Sequence, residues 1–161
     1  MGAFKQPHGG ELKELYLPEH RADEVKKHAG DYPSWDLTPR QLCDLDLLLN
    51  GAFSPLEGFL GEADYEKVCD EMRLESRVLW PVPVTLDVSE AFAESVEAGS
   101  VIALRDPEGV LIATMEVSDL WTPDKQSEAQ RVFGTTDDSH PGVDHLFHRA
   151  GKVYLGGKVH G

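Results

Sequence analysis

The chain has 161 residues, of which 40% are hydrophobic and 27% are charged, which is typical of a soluble globular protein of about one domain. Its net charge of −14 disfavours a nucleic-acid-binding protein, because such proteins depend on Lys and Arg contacts to phosphates, and it also disfavours binding to an anionic membrane. No apolar run reaches the roughly 18 residues of a membrane helix and no signal-peptide pattern is present, so we expect a cytoplasmic protein.

The start of the chain predicts a turn-rich arm followed by a short helix. Residues 1–20 are interpreted as an extended arm. A helix is predicted over residues 22–28 and ends at Gly30, because glycine adopts the left-handed conformation of a C-terminal cap. Residues 33–36 are predicted to form a loop.

The clearest predicted helix begins after Thr38. Thr38 is a good N-cap, Pro39 suits the first helical position, and Gln41 completes a capping box. The helix is expected to end at Asn50-Gly51. Leucines at helical spacing predict its buried side: Leu42, Leu45, Leu48 and Leu49.

A second helix is predicted over residues 63–72. Spacings of three and four predict its core-facing side chains: Tyr65, Val68, Cys69 and Met72.

Both cysteines of the chain, Cys43 and Cys69, lie in predicted helices without a Cys-x-x-Cys pattern. In a cytosolic chain we therefore expect them to be buried or partly buried free thiols.

The second half of the chain predicts strands with short helices between them. Alternating apolar and polar residues over 82–88 predict a half-buried strand, whose two prolines favour an edge or a bulged start. Further strands are predicted over residues 100–105, 110–117 and 152–155, the first two joined by a hairpin loop. Short helices are predicted over residues 90–96, from Pro123 and from 140–143.

A helical first half and a strand-rich second half predict an α+β fold. We expect a small mixed β-barrel with peripheral short helices. A single domain over residues 1–161 is predicted, because no repeat, low-complexity segment or flexible linker interrupts the sequence.

Two glycine-containing segments allow either a phosphate-binding or a structural interpretation. Pro7-His8-Gly9-Gly10 could approach an anion through backbone N–H groups, but no Lys-Ser or Lys-Thr follows it. An extended arm that packs on a neighbouring domain is favoured there. Gly156-Gly157-Lys158 lacks the spacing of a Walker motif, so a turn leading into the next domain is favoured.

A histidine-containing segment near the C-terminus could ligate a metal. Its candidate ligands are His140, His145 and His148, together with Asp137, Asp138 and Asp144. A zinc site needs about three or four ligands, and neither a cysteine nor a tight His-x-x-x-His pattern supports one here. We therefore predict no metal site.

The loop over residues 51–59 could contact a substrate. However, Phe53, Leu56 and Phe59 recur every three residues and predict apolar anchors, so structural anchoring or an interdomain contact is favoured.

The three tryptophans could stack on nucleic-acid bases, but they lie far apart in an acidic chain. Core or interface positions are favoured for Trp35, Trp80 and Trp121.

Nine segments, in the same order, resemble the amino-terminal domain of ATP sulfurylase (sulfate adenylyltransferase), and they extend from about Pro7 to Gly157. The most informative is Asp-Leu-Leu-Leu-Asn-Gly-Ala-Phe-Ser-Pro-Leu-Glu-Gly-Phe at residues 46–59. The others are residues 7–10, 64–65, 72–74, 79–87, 121–125, 133–135, 140–143 and 154–157.

The resemblance implies a PUA-like fold and a part in sulfate activation, in which an adenylyl group passes from ATP to sulfate to give adenosine 5′-phosphosulfate and pyrophosphate. The family's catalytic motifs, Gln-x-Arg-Asn and a His-Asn-Pro-x-His-like segment, belong to a following nucleotidyltransferase domain and do not occur in this sequence. We therefore assign no catalytic, substrate-binding or metal-binding residue to this chain.

The resemblance also implies the partners of the chain. These would be the catalytic domain and the other subunits of a homo-oligomer, with no nucleic acid and no membrane. No cofactor is expected in this chain, the parent enzyme would use Mg-ATP as a substrate, and the isolated chain would be inactive. Two alternatives stay open: a stand-alone PUA-type RNA-binding module, and an adaptor that docks through an exposed apolar patch.

Overall fold

The computed structural model describes residues 5–161, so the first four residues of the predicted arm lie outside the described part. The helices are α1 (Glu19–His28), α2 (Pro39–Leu49), α3 (Glu62–Glu71), α4 (Glu90–Ala93), α5 (Lys125–Phe133) and α6 (Pro141–His148). The strands are β1 (Ser34–Asp36), β2 (Gly58–Phe59), β3 (Leu86–Val88), β4 (Val101–Arg105), β5 (Leu111–Trp121) and β6 (Val153–His160). The predicted α+β class is confirmed.

The strands form one mixed sheet in the order β1-β4-β5-β6-β2, and β3 also pairs with β6. β1 runs parallel to β4, whereas β4–β5, β2–β6 and β3–β6 are antiparallel. Within residues 5–161 this path has two ends, so the predicted β-barrel is corrected to an open sheet. The terminal strands β1 and β2 have three and two residues, and a barrel needs staggered pairing along every strand.

Contacts divide the described chain into two compact units, each built from several segments. The first contains the chain up to Phe59, Gly99–Val117 and Gly157–Gly161. The second contains Leu60–Ala98 and Ser118–Gly156. The single domain over residues 1–161 stays a prediction.

Helix α2 begins as the sequence predicts. The Thr38 hydroxyl accepts a hydrogen bond from the Gln41 backbone N–H at 3.3 Å, and the Gln41 side chain accepts one from the Thr38 N–H at 3.0 Å. These two bonds satisfy N–H groups that a helix start leaves without intrahelical partners. Of the predicted buried leucines, three are buried and Leu42 is half-buried.

Replacing Thr38 with alanine is expected to lower the free energy of unfolding by about 1 kcal/mol, because one half of the capping box is lost. Urea unfolding followed by tryptophan fluorescence measures this change. Thr38→Ser, which keeps the hydroxyl, is the matched control and should stay close to the parent. An equal loss in both variants would show that the hydroxyl does not stabilise the helix.

Residues 33–36, predicted as a loop, contain strand β1. Trp35 lies opposite Leu104 of β4, and its indole N–H donates to the Gln41 side chain at 3.0 Å. The prediction was wrong because the parallel partner lies far along the chain and leaves no local pattern.

Helix α3 buries Tyr65, Val68 and Cys69 as predicted, but Met72 is 54% exposed. Met72 is the C-cap residue, with the left-handed φ of 53°. The helical spacing that placed it on the buried side therefore no longer applies at this position.

The strand predicted over residues 82–88 is shorter, because only Leu86–Val88 is a strand. It is not half-buried either, since the polar residues Thr85 and Asp87 are buried together with their apolar neighbours. The Asp87 carboxylate accepts a hydrogen bond from the Gly151 N–H at 2.7 Å, which allows its burial.

Strand β2 lies at the end of the segment predicted as a loop, whereas the other remaining elements agree in type with the sequence but differ in length. α1 begins at Glu19, three residues before its predicted start, and α4 ends at Ala93 instead of residue 96. α5 begins at Lys125 after an Asp124 cap, and α6 runs for eight residues from its His140 cap. Among residues 5–161, no helix combines the length and apolar character that crossing a membrane requires.

Candidate functional site

The most unusual polar feature of the second unit is a buried carboxylate in α5. Glu128 is 6% exposed, and its Oε1 accepts hydrogen bonds from the Tyr65 hydroxyl at 2.5 Å and from the Tyr154 hydroxyl at 2.9 Å. The three side chains come from α3, α5 and β6. We call them the Glu128 cluster.

Aromatic packing fixes the geometry of this cluster. The ring centroid of Trp121 lies 5.4 Å from that of Tyr65 and 5.8 Å from that of Tyr154, and the two tyrosine rings meet edge to face. Such tilted and edge-on arrangements are the favourable ones for aromatic pairs. The hydroxyl groups are therefore held towards the carboxylate by rings that cannot turn freely.

Burial dominates the electrostatics of the cluster. It raises the pKa of Glu128 above the ordinary value of 4.5, while the hydrogen bonds from the two tyrosines act in the opposite direction. The pKa of the Tyr65 hydroxyl is raised as well, by burial and by the neighbouring carboxylate. Burial also raises the pKa of the Cys69 thiol to about 12, so this thiol stays protonated at neutral pH and is a poor nucleophile.

Two cations lie at the borders of the cluster and are already engaged. Lys125 donates to the Ala150 carbonyl at 2.9 Å, and burial lowers the pKa of its amine. Arg131 reaches Glu66 at 2.7 Å and Asp70 at 2.9 Å, which ties α5 to α3. The cluster thus joins three elements through satisfied polar contacts, and we interpret it as a structural clamp.

Of the predicted glycine segments, Pro7-His8-Gly9-Gly10 forms a turn in which the Gly10 N–H donates to the Pro7 carbonyl at 2.9 Å. A Cβ at Gly9 would lie 2.8 Å from the Pro55 ring, so this turn packs on the 51–59 loop of its own unit. The predicted packing on a neighbouring domain stays a prediction. The close packing on Pro55 explains why residue 9 is a glycine, so no bound anion is needed to account for it.

The 51–59 loop is anchored as predicted. Leu56 and Phe59 are buried, and Phe53 is half-buried. Ser54, which is 2% exposed, donates to the Gly51 carbonyl at 2.6 Å and accepts from the Lys13 N–H at 2.8 Å. These bonds hold the loop against the arm.

Gly156-Gly157-Lys158, predicted as a turn, lies inside strand β6. A Cβ at Gly156 would lie 2.5 Å from the Gly61 Cα, and one at Gly157 would overlap the Glu116 carbonyl oxygen. The glycines therefore permit close backbone approach, a role that the sequence alone does not separate from turn formation.

The three histidines have separate environments. His140 caps α6 by accepting a hydrogen bond from the Gly142 N–H at 3.1 Å, and His148 lies 3.2 Å from Asp138. The ring of His145 is partly buried. Within residues 5–161, no three His, Cys, Asp or Glu residues are grouped to hold a metal ion, and the absence of a metal site stays a prediction.

Four of the five tryptophan and cysteine side chains are at least partly buried. Trp80 and Trp121 are buried and Trp35 is half-buried, as expected for packing residues. Cys69 is buried as predicted, but Cys43 is exposed, because it lies on the outward side of α2. The Glu128 cluster was not predicted from the sequence, because the two tyrosines that contact Glu128 lie 63 and 26 residues away from it.

The described residues form an α+β domain in which an open mixed sheet carries short helices. The chain belongs to the PUA-like domain family, whose model matches residues 5–161.

The curated relatives found by sequence are sulfate adenylyltransferases. The chain is 48% identical to the enzyme of Eremothecium gossypii over 154 residues and 48% identical to that of Symbiobacterium thermophilum over 153 residues. It is 44% identical to the Saccharomyces cerevisiae enzyme. Each match covers 95% of this chain but only 31%, 39% and 30% of the respective relative. The chain thus spans about a third of the relatives' length.

A solved structure with the same fold is the hexameric APS kinase from Thiobacillus denitrificans. It superposes with a TM-score of 0.74 at 31% identity. The match covers 97% of this chain and 26% of the kinase chain.

Proposed function

We propose that this chain is the amino-terminal PUA-like scaffold and interface domain of a sulfate adenylyltransferase. The observation that carries the proposal is the 48% identity to such enzymes over 95% of this chain but less than two fifths of theirs. On this proposal, the reaction of ATP with sulfate takes place in the catalytic portion of the parent enzyme.

The contacts of the described residues support a structural role for this part. Adenylyl transfer needs free cations or hydrogen-bond donors at phosphate oxygens. The two cations beside the Glu128 cluster are engaged in contacts within the protein, as is the Ser54 hydroxyl of the 51–59 loop. The proposal therefore assigns no catalytic, substrate-binding or metal residue and no cofactor to this chain, and Mg-ATP would be a substrate of the parent.

The proposed partners are the catalytic portion and further subunits of a homo-oligomer. A hexameric structural neighbour supports oligomerisation of the parent. We also propose a cytoplasmic location, in keeping with the two free cysteines of the chain.

The chain alone is expected to release no pyrophosphate from ATP and sulfate above the rate without protein. A chimera in which it replaces the matched segment of the Symbiobacterium thermophilum enzyme is expected to release pyrophosphate. The unmodified Symbiobacterium enzyme is the positive control. Turnover by the isolated chain, or an unfolded and inactive chimera, would contradict the proposal.

A further inference from the structure

Among the longer helices of residues 5–161, α1 is the least buried. Eight of its ten residues are exposed, and the other two, Ala22 and Val25, are only half-buried. By contrast, α2, α3, α5 and α6 each bury two or more residues. Most of the stability of a helix in a protein comes from packing of its apolar side, because isolated helices shorter than about 12 residues are marginal in water. Burial therefore contributes little to holding α1 in place.

The polar contacts of α1 are weak as well. Its N-cap residue is Pro18, which makes no side-chain hydrogen bond to the first turn. Two ion pairs lie on its exposed side, Arg21 with Glu24 at 3.9 Å and Asp23 with Lys26 at 3.7 Å. Exposed pairs of this kind stabilise a protein little, because water and salt screen them.

The chain is fixed on both sides of α1. Before the helix, the Leu15 N–H donates to the Leu49 carbonyl at 2.9 Å, and the Leu17 N–H donates to the Gly161 carbonyl at 2.7 Å. After the helix, Ala29 is buried and only 3% exposed. A weakly packed segment between two fixed points can open locally while the rest of the unit stays folded.

Two cavities lie between α1 and the sheet of the first unit. The larger, of about 190 Å³, is lined by Val25 of the helix, Thr114 of β5 and His160 of β6. The smaller, of about 50 Å³, is lined by Ala22, Val25 and Thr114. Pockets for drug-sized ligands have volumes of roughly 300–1,000 Å³, so we interpret these smaller spaces as incomplete packing beneath α1. Both half-buried side chains of the helix thus border gaps.

We propose that α1 is a lid on the first unit, which opens by local unfolding while the sheet beneath it stays folded. Opening exposes the surface around Thr114, which is 5% exposed when α1 is in place. The equilibrium of the lid then controls access to this side of β5. The lid is independent of the proposed function, because its evidence is burial, hydrogen bonds and cavities within this chain.

Hydrogen exchange measures the opening directly. After correction for intrinsic rates, the amide groups of residues 22–28 are expected to exchange at least about a hundredfold faster than those of residues 42–49 in α2. The α2 amides are the matched comparison, because that helix has nearly the same length but a capping box and four buried residues. Similar protection of the two helices would overturn the proposal.

A thiol at position 114 tests whether the opening uncovers the sheet. The variant Cys43→Ser/Thr114→Cys removes the exposed thiol of the chain and keeps Cys69, which is buried in the second unit and serves as an internal control. Maleimide is expected to label position 114 at least about tenfold faster than Cys69, because only α1 has to open.

A glycine in the lid should change this rate selectively. Adding Ala22→Gly is expected to speed labelling at position 114 about fivefold and to leave labelling of Cys69 unchanged, because glycine disfavours the helical state of α1. Ala63→Gly, the same change at an exposed position of α3, should not alter the rate at position 114.

The labelling experiment can contradict the lid in two ways. Position 114 would label as slowly as Cys69 if the sheet becomes accessible only on global unfolding. Ala22→Gly would speed both thiols equally, or neither, if α1 does not open on its own. Either result would overturn the lid and leave the proposed function standing, since the chimera tests that function separately.

Discussion

Replacing Gly58 with alanine is expected to lower the free energy of unfolding by about 3 kcal/mol or more, at the upper end of overpacking effects. Gly58 pairs with Lys158, and a Cβ there would overlap the Gly157 carbonyl oxygen and lie 2.8 Å from the Lys158 Cα. Both obstacles are backbone atoms, so no side-chain rotation can relieve them. The β2–β6 pair would have to separate.

Urea unfolding followed by tryptophan fluorescence measures this loss. The slope of the free energy of unfolding against urea concentration should be the same in the parent and the variant. Gly30→Ala is the matched control, because a Cβ there meets no atom within 4 Å and the backbone lacks a positive φ. Its stability should change by less than about 0.5 kcal/mol. Equal stability of the two variants would show that β2 does not approach β6 as closely as described.

Replacing Glu128 with alanine is expected to destabilise the chain by about 3 kcal/mol, because two buried hydroxyls lose their acceptor and a cavity forms. Tyr154→Phe, which removes one hydroxyl and keeps the ring, should cost less, about 1–2 kcal/mol. The same urea experiment measures both. If alanine at residue 128 is tolerated without loss, the cluster is not a clamp.

Glu128→Gln is expected to change how stability depends on pH. Burial holds the pKa of Glu128 above 4.5, so the contribution of this group is fully present below that pH and is lost as the pH rises through the raised pKa. The glutamine variant should therefore gain stability relative to the parent as the pH rises from 4.5 through the raised pKa of Glu128. Glu75→Gln, at an exposed position, is the control. A difference that does not vary with pH would contradict this assignment.

The elements predicted correctly are those whose sequence signals come from neighbouring residues. The capping box and leucine spacing identified α2, and the hairpin chemistry at residues 106–109 joined β4 to β5. Strand β1 was missed because its stability depends on β4, and β6 was cut short because its glycines also resemble a turn. In both cases the deciding partner is distant in sequence.

The Glu128 cluster was harder to foresee for the same reason. Glu128 receives one hydrogen bond from a residue 63 positions away and another from a residue 26 positions away. A sequence shows that a carboxylate lies beside an alanine, but it shows neither that the two are buried nor which hydroxyls compensate the burial of the carboxylate. The 51–59 loop was predictable because its apolar anchors lie within the loop itself.

The interleaving of the two units has a consequence for biosynthesis. The first unit needs Gly157–Gly161 as well as segments made much earlier, and the second needs residues as far as Gly156. Neither unit can be completed until nearly all of these residues have left the ribosome. Pairing segments that lie far apart in the sequence also closes long loops, which slows folding. Nascent chains halted before β6 should consequently remain sensitive to protease along both sets of segments.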